Sequence, residues 1–202
     1  MDCLIVSGGE FTKLKIKKKY DLIIACDKGY EYAKKLNLKV DIVVGDFDSS
    51  KQPKNNVSII KLPREKDDTD TSIAIKYAIR NNYKNIDIIF ALGKRIDHTI
   101  ANISLLKYIV EHNANAKIIS ANVKLITHST GIIKVEKEKN SYLSVFSLSD
   151  KSMIEYIRGT KYNVKNIILY NSFPLGISNE FINKYATIKV KKGIILICII
   201  KK

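Results

Sequence analysis

The 202-residue chain contains no apolar run near the roughly 18 residues that a membrane-spanning helix needs. Its apolar start, Met1 to Val6, lacks the basic residues that precede the core of a secretory signal. It reads as a first β-strand, and a cytoplasmic setting without a membrane partner is expected. Cysteine is scarce. Cys3, Cys26 and Cys198 are odd in number and form no C-x-x-C pair, which argues against a disulfide scaffold or a thiolate zinc site. All three sit in apolar runs, where a thiol packs as a small hydrophobe. His98, His112 and His128 have no zinc-type spacing. Arginine is also rare, at positions 64, 80, 95 and 158, although the net charge is +15. The lysines are spread out, giving a net +6 over residues 1–120 and +9 over 121–202. Base readout favours arginine forks, so no nucleic-acid partner is expected. The surplus charge suits anionic small ligands instead. No internal repeat or low-complexity tract is present.

What is present divides near residue 115. Residues 1–115 alternate apolar strands (Leu4–Ser7, Asp21–Cys26, Ile42–Val44, Val57–Lys61, Ile86–Ala91) with helical stretches at Lys28–Asn37, Thr71–Asn81 and Thr99–His112. Strands without polar alternation, separated by helices, predict a mostly parallel, Rossmann-like α/β sheet with helices on both faces. Residues 116–202 hold short strands and turns only: Ala116–Ser120, Val123–Thr127, Gly131–Val135, Tyr142–Ser147, Asn166–Tyr170, Ala186–Val190 and Ile194–Ile200. They predict a second, all-β domain.

The polar chemistry collects where strands end. Asp46 and Asp48, two apart, project to one side of an extended backbone. Gly45 lets the chain turn sharply there. Two carboxylates held together repel unless a cation lies between them, and oxygen-only ligands suit Mg²⁺ bound to phosphate. Asp67, Asp68 and Asp70 precede the helix at 71–81. Asp70 reads either as its N-cap, with Thr69 the rival, or as a third metal ligand. Asp67 or Asp68 would then support the site or meet polar groups of the cofactor, and Arg64 and Lys66 could reach phosphate oxygens. Lys94 and Arg95 precede another helix, whose start can hold phosphate. Asp97 is an N-cap or a substrate or metal ligand, and His98 is a packed histidine or a site residue. Asp27 is an N-cap or part of a nucleotide or metal site. Ser7, Gly8 and Gly9 offer backbone N–H groups to phosphate, although neither a Walker A loop nor a full G-x-G-x-x-G is present. With no G-x-S-x-G and no Ser–His–Asp order, the pattern favours phosphoryl or nucleotidyl transfer on a metal, carried by positioning and charge stabilisation.

The segments Cys26–Gly29, Asp41–Ser49 with its G-D-F-D-S run, Lys66–Asp70, Gly93–His98 with Asn102, and Gly176–Glu180 resemble, in order, the thiamine pyrophosphokinase family. The resemblance implies an α/β catalytic domain and a C-terminal β-sandwich. It implies transfer of a diphosphoryl group from ATP to thiamine, giving thiamine diphosphate and AMP, in a homodimer with thiamine at the subunit interface. By position, Asp46, Asp48 and Asp70 match the family's Mg²⁺ carboxylates. Asp27, Arg95 and Asp97 match nucleotide and reaction-centre residues, and Ser178 and Asn179 match the thiamine-site motif. Lys28 and Lys94 stand where the family usually has glycine, each adding a cation near the phosphates. Two other readings remain: a related diphosphokinase for another heterocyclic alcohol such as a pterin, or a nucleotide- or nucleic-acid-binding protein without catalysis.

Overall fold

The computed structural model describes residues 1–46, 57–63, 67–93 and 95–202. The chain forms two compact units, Met1–Ala121 and Asn122–Lys202.

In the first unit, β1 (Asp2–Val6), β2 (Leu22–Cys26), β3 (Ile42–Gly45), β4 (Ser58–Lys61), β5 (Asn85–Ile89) and β6 (Asn115–Ile119) run parallel in the order β6-β5-β1-β2-β3-β4. The helices are α1 (Gly29–Lys35), α2 (Asp70–Arg80) and α3 (Ile96–Glu111). The chain works outward from β1 through β4, then returns to β5 on β1's other side. The strand order therefore reverses between β1 and β5, which is where ligands bind in open α/β sheets. Strand β6 pairs with β5 and falls in the first compact unit.

The core follows from strand alternation. Leu4, Val6, Ala25 and Val43 cluster with Tyr30, Tyr32 and Ala33 of α1. Ser7 Oγ and Thr71 Oγ1 are 2.9 Å apart, and Cys26 Sγ donates to the Asp70 carbonyl at 3.6 Å, so these side chains meet α2. One strand departs from the apolar pattern. Asp87 of β5 is buried, accepting from the Tyr20 hydroxyl at 2.8 Å and Lys18 Nζ at 3.3 Å. A buried carboxylate without such donors would be costly. The pairing also ties the irregular stretch before β2 to the sheet.

The second unit is antiparallel. One group of strands runs in the order β12 (Asn179–Glu180), β9 (Ser141–Ser147), β14 (Ile195–Lys201) and β7 (Val123–His128). The other runs β11 (Val164–Tyr170), β10 (Lys151–Arg158), β13 (Tyr185–Lys192) and β8 (Gly131–Glu136). Both contribute to one hydrophobic cluster, with Leu143, Val145 and Ile197 from the first and Ile154, Leu169 and Ile188 from the second. The arrangement is sandwich-like. Strand β10 was not expected. Its register against β13 shifts at Met153/Ile154 and again at Ile154/Tyr156, which breaks the two-residue alternation that marks a strand in a sequence.

The three cysteines are buried within β1, β2 and β14. Burial pushes the Cys3 and Cys198 thiols up to about 12, so both stay protonated. Among the described residues, no helix is long and apolar enough to cross a membrane.

Candidate functional site

A cavity of about 560 Å³ lies where β1 and β5 end. Its walls come from the segments that follow β1, β2 and β5 and from the first turns of α2 and α3. The loop after β1 is bonded along the exit of β5: Ser7 N–H to Ile89 O at 3.0 Å, Gly9 N–H to Phe90 O at 2.8 Å and Glu10 N–H to Leu92 O at 3.0 Å. These donors, expected to face phosphate at Ser7 and Gly9, are used within the fold. Glycine is needed at position 9 because a Cβ would lie 2.4 Å from the Phe90 carbonyl oxygen. At Gly29 a Cβ would lie 2.0 Å from the Val6 carbonyl oxygen, so α1 starts against β1 only with glycine there. Lys28, one position earlier, has an ordinary helical φ of −56°. That explains why lysine is tolerated at the first of the two positions and not at the second.

Three of the expected acidic residues surround the ends of β2 and β3. Asp27 follows β2, and its N–H donates to Val44 O at 2.8 Å. Asp46 follows β3, where a Cβ on Gly45 would lie 3.3 Å from Asp27 Cα. Asp70 opens α2, and its carbonyl takes the Cys26 thiol. Asp27 and Asp70 line the cavity. Thr69 decides the capping question, because its Oγ1 accepts the Ser72 N–H at 3.1 Å. The N-cap of α2 is therefore Thr69, with Asp70 in its first turn. All-oxygen donors suit a hard divalent cation. Among the described residues, no three histidine, cysteine or acidic side chains are grouped closely enough to hold one. Asp48, the remaining expected ligand, lies outside the described residues, as do Arg64, Lys66 and Lys94. Asp68 is engaged elsewhere, accepting from Lys76 Nζ at 2.6 Å and Ser72 Oγ at 3.1 Å. The Lys76 hydrogen bond holds its carboxyl below the usual range.

On the opposite side of the strand reversal, α3 begins without a side-chain cap. Arg95 occupies the cap position and lines the cavity with His98 and Thr99. Its guanidinium donates from Nε to Asp97 Oδ1 at 3.0 Å and from Nη2 to Oδ2 at 2.6 Å. That hydrogen-bonded fork takes the Asp97 carboxyl down to about 2. Asn102, buried on the same helix, donates to the Ala91 carbonyl at 2.7 Å and fixes the exit of β5. The sequence reading missed Glu10 and Phe11, which also line the cavity.

In the second unit, Ser178 has a left-handed φ of 57°, and its N–H donates to Ser144 Oγ at 2.9 Å. Asn179 pins the neighbouring loop. Its Oδ1 accepts the Tyr162 N–H at 3.0 Å and its Nδ2 donates to Tyr162 O at 2.8 Å. A cavity of about 260 Å³ lies beside it, lined by Leu143, Val145, Ile177 and other apolar groups.

Carboxylates and a guanidinium gathered where the strands of a parallel sheet end are suited to a nucleotide polyphosphate. Residues 14–119 match the family described as thiamin pyrophosphokinase, catalytic domain, and residues 130–195 match thiamin pyrophosphokinase, vitamin B1 binding domain. A thiamine pyrophosphokinase of Bacillus subtilis is 30% identical over 159 residues, covering 75% of this chain and 74% of its own. Thiamin pyrophosphokinase 1 of Caenorhabditis elegans is 25% identical over 165 residues, covering 76% and 68%. The crystal structure of a thiamine pyrophosphokinase from Bacillus subtilis superimposes with a TM-score of 0.90 over 100% of both chains at 25% identity. The chain belongs to the thiamin pyrophosphokinase family.

Proposed function

We propose that the first-unit cavity is where this chain transfers a diphosphoryl group from ATP to thiamine, releasing thiamine diphosphate and AMP. The observation that carries this reading is the meeting of Asp27, Asp70 and Arg95 in one cavity at the reversal of strand order, within a chain of this family. The thiamine hydroxyl oxygen attacks the β-phosphorus, the bond from that phosphorus to the α-phosphate oxygen breaks, and AMP leaves with that oxygen. Arg95 meets phosphate oxygens, exchanging Asp97 for them. The freed Asp97 carboxylate orients the thiamine hydroxyl and accepts its proton. Asp27, with Lys94, contributes to holding the nucleotide. Asp68 supports the site through Lys76 and Ser72, beside the cap of α2.

Mg²⁺ would be held by Asp46, Asp48 and Asp70, and when bound it would neutralise phosphate charge. Residues 1–115 form the catalytic, nucleotide-binding domain in this reading, and 116–202 the thiamine-binding domain, with Ser178 and Asn179 shaping the thiamine site. The first domain is Rossmann-like with helices on both sheet faces. This is supported by Leu4 and Val6 clustering with α1 while Ser7 and Cys26 meet α2. The protein works in the cytoplasm as a homodimer with shared active sites, so a sedimentation mass of one chain would contradict that part.

The related reaction on a pterin alcohol is separated by a substrate panel. With ATP and Mg²⁺, AMP should appear with thiamine and not with a hydroxymethylpterin. The reverse preference would replace this reading. AMP with neither would favour the non-catalytic reading.

A further inference from the structure

We propose that Phe11, backed by Tyr32 and Phe90, is the platform against which the nucleobase of the phosphoryl donor packs, an inference that rests on the cavity being the nucleotide site. The three rings form one cluster, each pair of centroids 5.2 Å apart. Phe90 and Tyr32 are buried, whereas Phe11 is half-buried. Phe11 and Tyr32 both reach the cavity wall.

Hydrogen bonds hold the cluster to the cavity loop. The Tyr32 hydroxyl donates to Gly9 O at 3.2 Å, which fixes its ring against the loop that carries Phe11. The Glu10 N–H bond to Leu92 O anchors that loop one residue before Phe11. Phe90 has a φ of 56°, uncommon for an aromatic residue, and takes the Gly9 N–H on its carbonyl. Phe11 belongs to no helix or strand; its ring packs against the core of the first unit and remains partly exposed at the cavity.

Among the cavity's charged groups, Arg95 suits the polyphosphate directly, and Asp27 and Asp70 would meet it through a cation. The cavity's apolar groups, Phe11, Tyr32 and Leu92, offer a flat surface to an aromatic heterocycle. Stacking on an aromatic ring tolerates any base, because every base has a π face. The platform therefore predicts a donor site that accepts several nucleoside triphosphates rather than one.

The test uses the full chain as Phe11→Ala, Phe11→Leu and Phe11→Tyr. It reads the KM for ATP, kcat, the KM for thiamine, and ATP binding by calorimetry without thiamine. Phe11→Ala should weaken ATP binding about tenfold, the order of one base–aromatic stack, with the loss falling on KM for ATP and not on kcat. Phe11→Tyr should bind like the parent. Phe11→Leu keeps most of the apolar volume but has no ring, and should bind ATP nearly as weakly as Phe11→Ala. Unchanged ATP affinity in Phe11→Ala, or full recovery in Phe11→Leu, would overturn the proposal. If Phe11→Ala does not fold, the leucine–tyrosine contrast still decides it. The reading of the overall reaction fails separately, when the parent chain makes no AMP.

Discussion

Asp70→Asn is expected to lower kcat/KM for ATP and thiamine by more than about a hundredfold while leaving the fold intact. Replacing even a partner that merely orients a metal ligand costs ~10–100-fold, and the account makes Asp70 a ligand itself. The change is nearly isosteric and removes one charge. It leaves α2 in place because Thr69, not Asp70, accepts the Ser72 N–H. Thr69→Ala supplies the contrast. It removes the cap and should cost ~0.5–2 kcal/mol of stability with a much smaller effect on turnover. Steady-state kinetics and urea unfolding on both variants separate the two roles. A second readout does not depend on activity: Mg²⁺ should raise the melting temperature of the parent more than that of Asp70→Asn. Near-parental turnover in Asp70→Asn would remove Asp70 from the metal site.

Arg95→Ala should lower kcat/KM by about 10²–10³, the range seen when one charge-stabilising donor is removed. Arg95→Lys should recover only part of it, because an ammonium keeps the charge and loses the two-pronged geometry. The Arg95–Asp97 pair is exposed, with side chains at 72% and 59% of full accessibility, so its loss should show in kinetics and hardly in melting. Its signature is in the titration of Asp97. That carboxyl is lowered from 3.8 to about 2, chiefly by the Arg95 hydrogen bond and further by the His98 backbone N–H. A depressed carboxyl contributes fully above its unfolded value and loses that contribution as pH falls through the folded one. The pair's effect is thus complete above about pH 4 and fades toward about 2. In Arg95→Ala the Asp97 carboxyl should rise toward its ordinary value, with the His98 N–H bond still holding it somewhat down, and carboxyl-resolved NMR measures this directly. An Asp97 value still near 2 in that variant would show that the guanidinium is not its cause.

Much of this site was legible because its residues sit at element boundaries, and boundaries leave local marks. Gly45 and Asp46 end a short apolar run, and Asp67–Asp70 precede a helical one, so both could be placed at the carboxyl side of a sheet. The choice between Thr69 and Asp70 as the cap was not legible, since either side chain can accept an N–H at that point. The use of the Ser7 and Gly9 N–H groups by the exit of β5 was hidden for another reason. Their partners lie about eighty residues away, and hydrogen bonding between parallel strands writes no local pattern. The same cause hid the pairing of β6 with β5: a strand's sequence does not name its neighbour. Strand β10 was lost to its register shifts. Phe11 was passed over because a single aromatic residue in a loop shows no periodicity. Its meaning comes only from Tyr32 and Phe90 beneath it.

The most direct test of the central claim follows the phosphates of ATP in the parent chain with thiamine and Mg²⁺. Products are resolved by mass, using ATP labelled in its β- and γ-phosphates. The account predicts one AMP for each thiamine diphosphate, with both labelled phosphates in the thiamine product. ADP with thiamine monophosphate would contradict it, since attack would then fall on the γ-phosphorus.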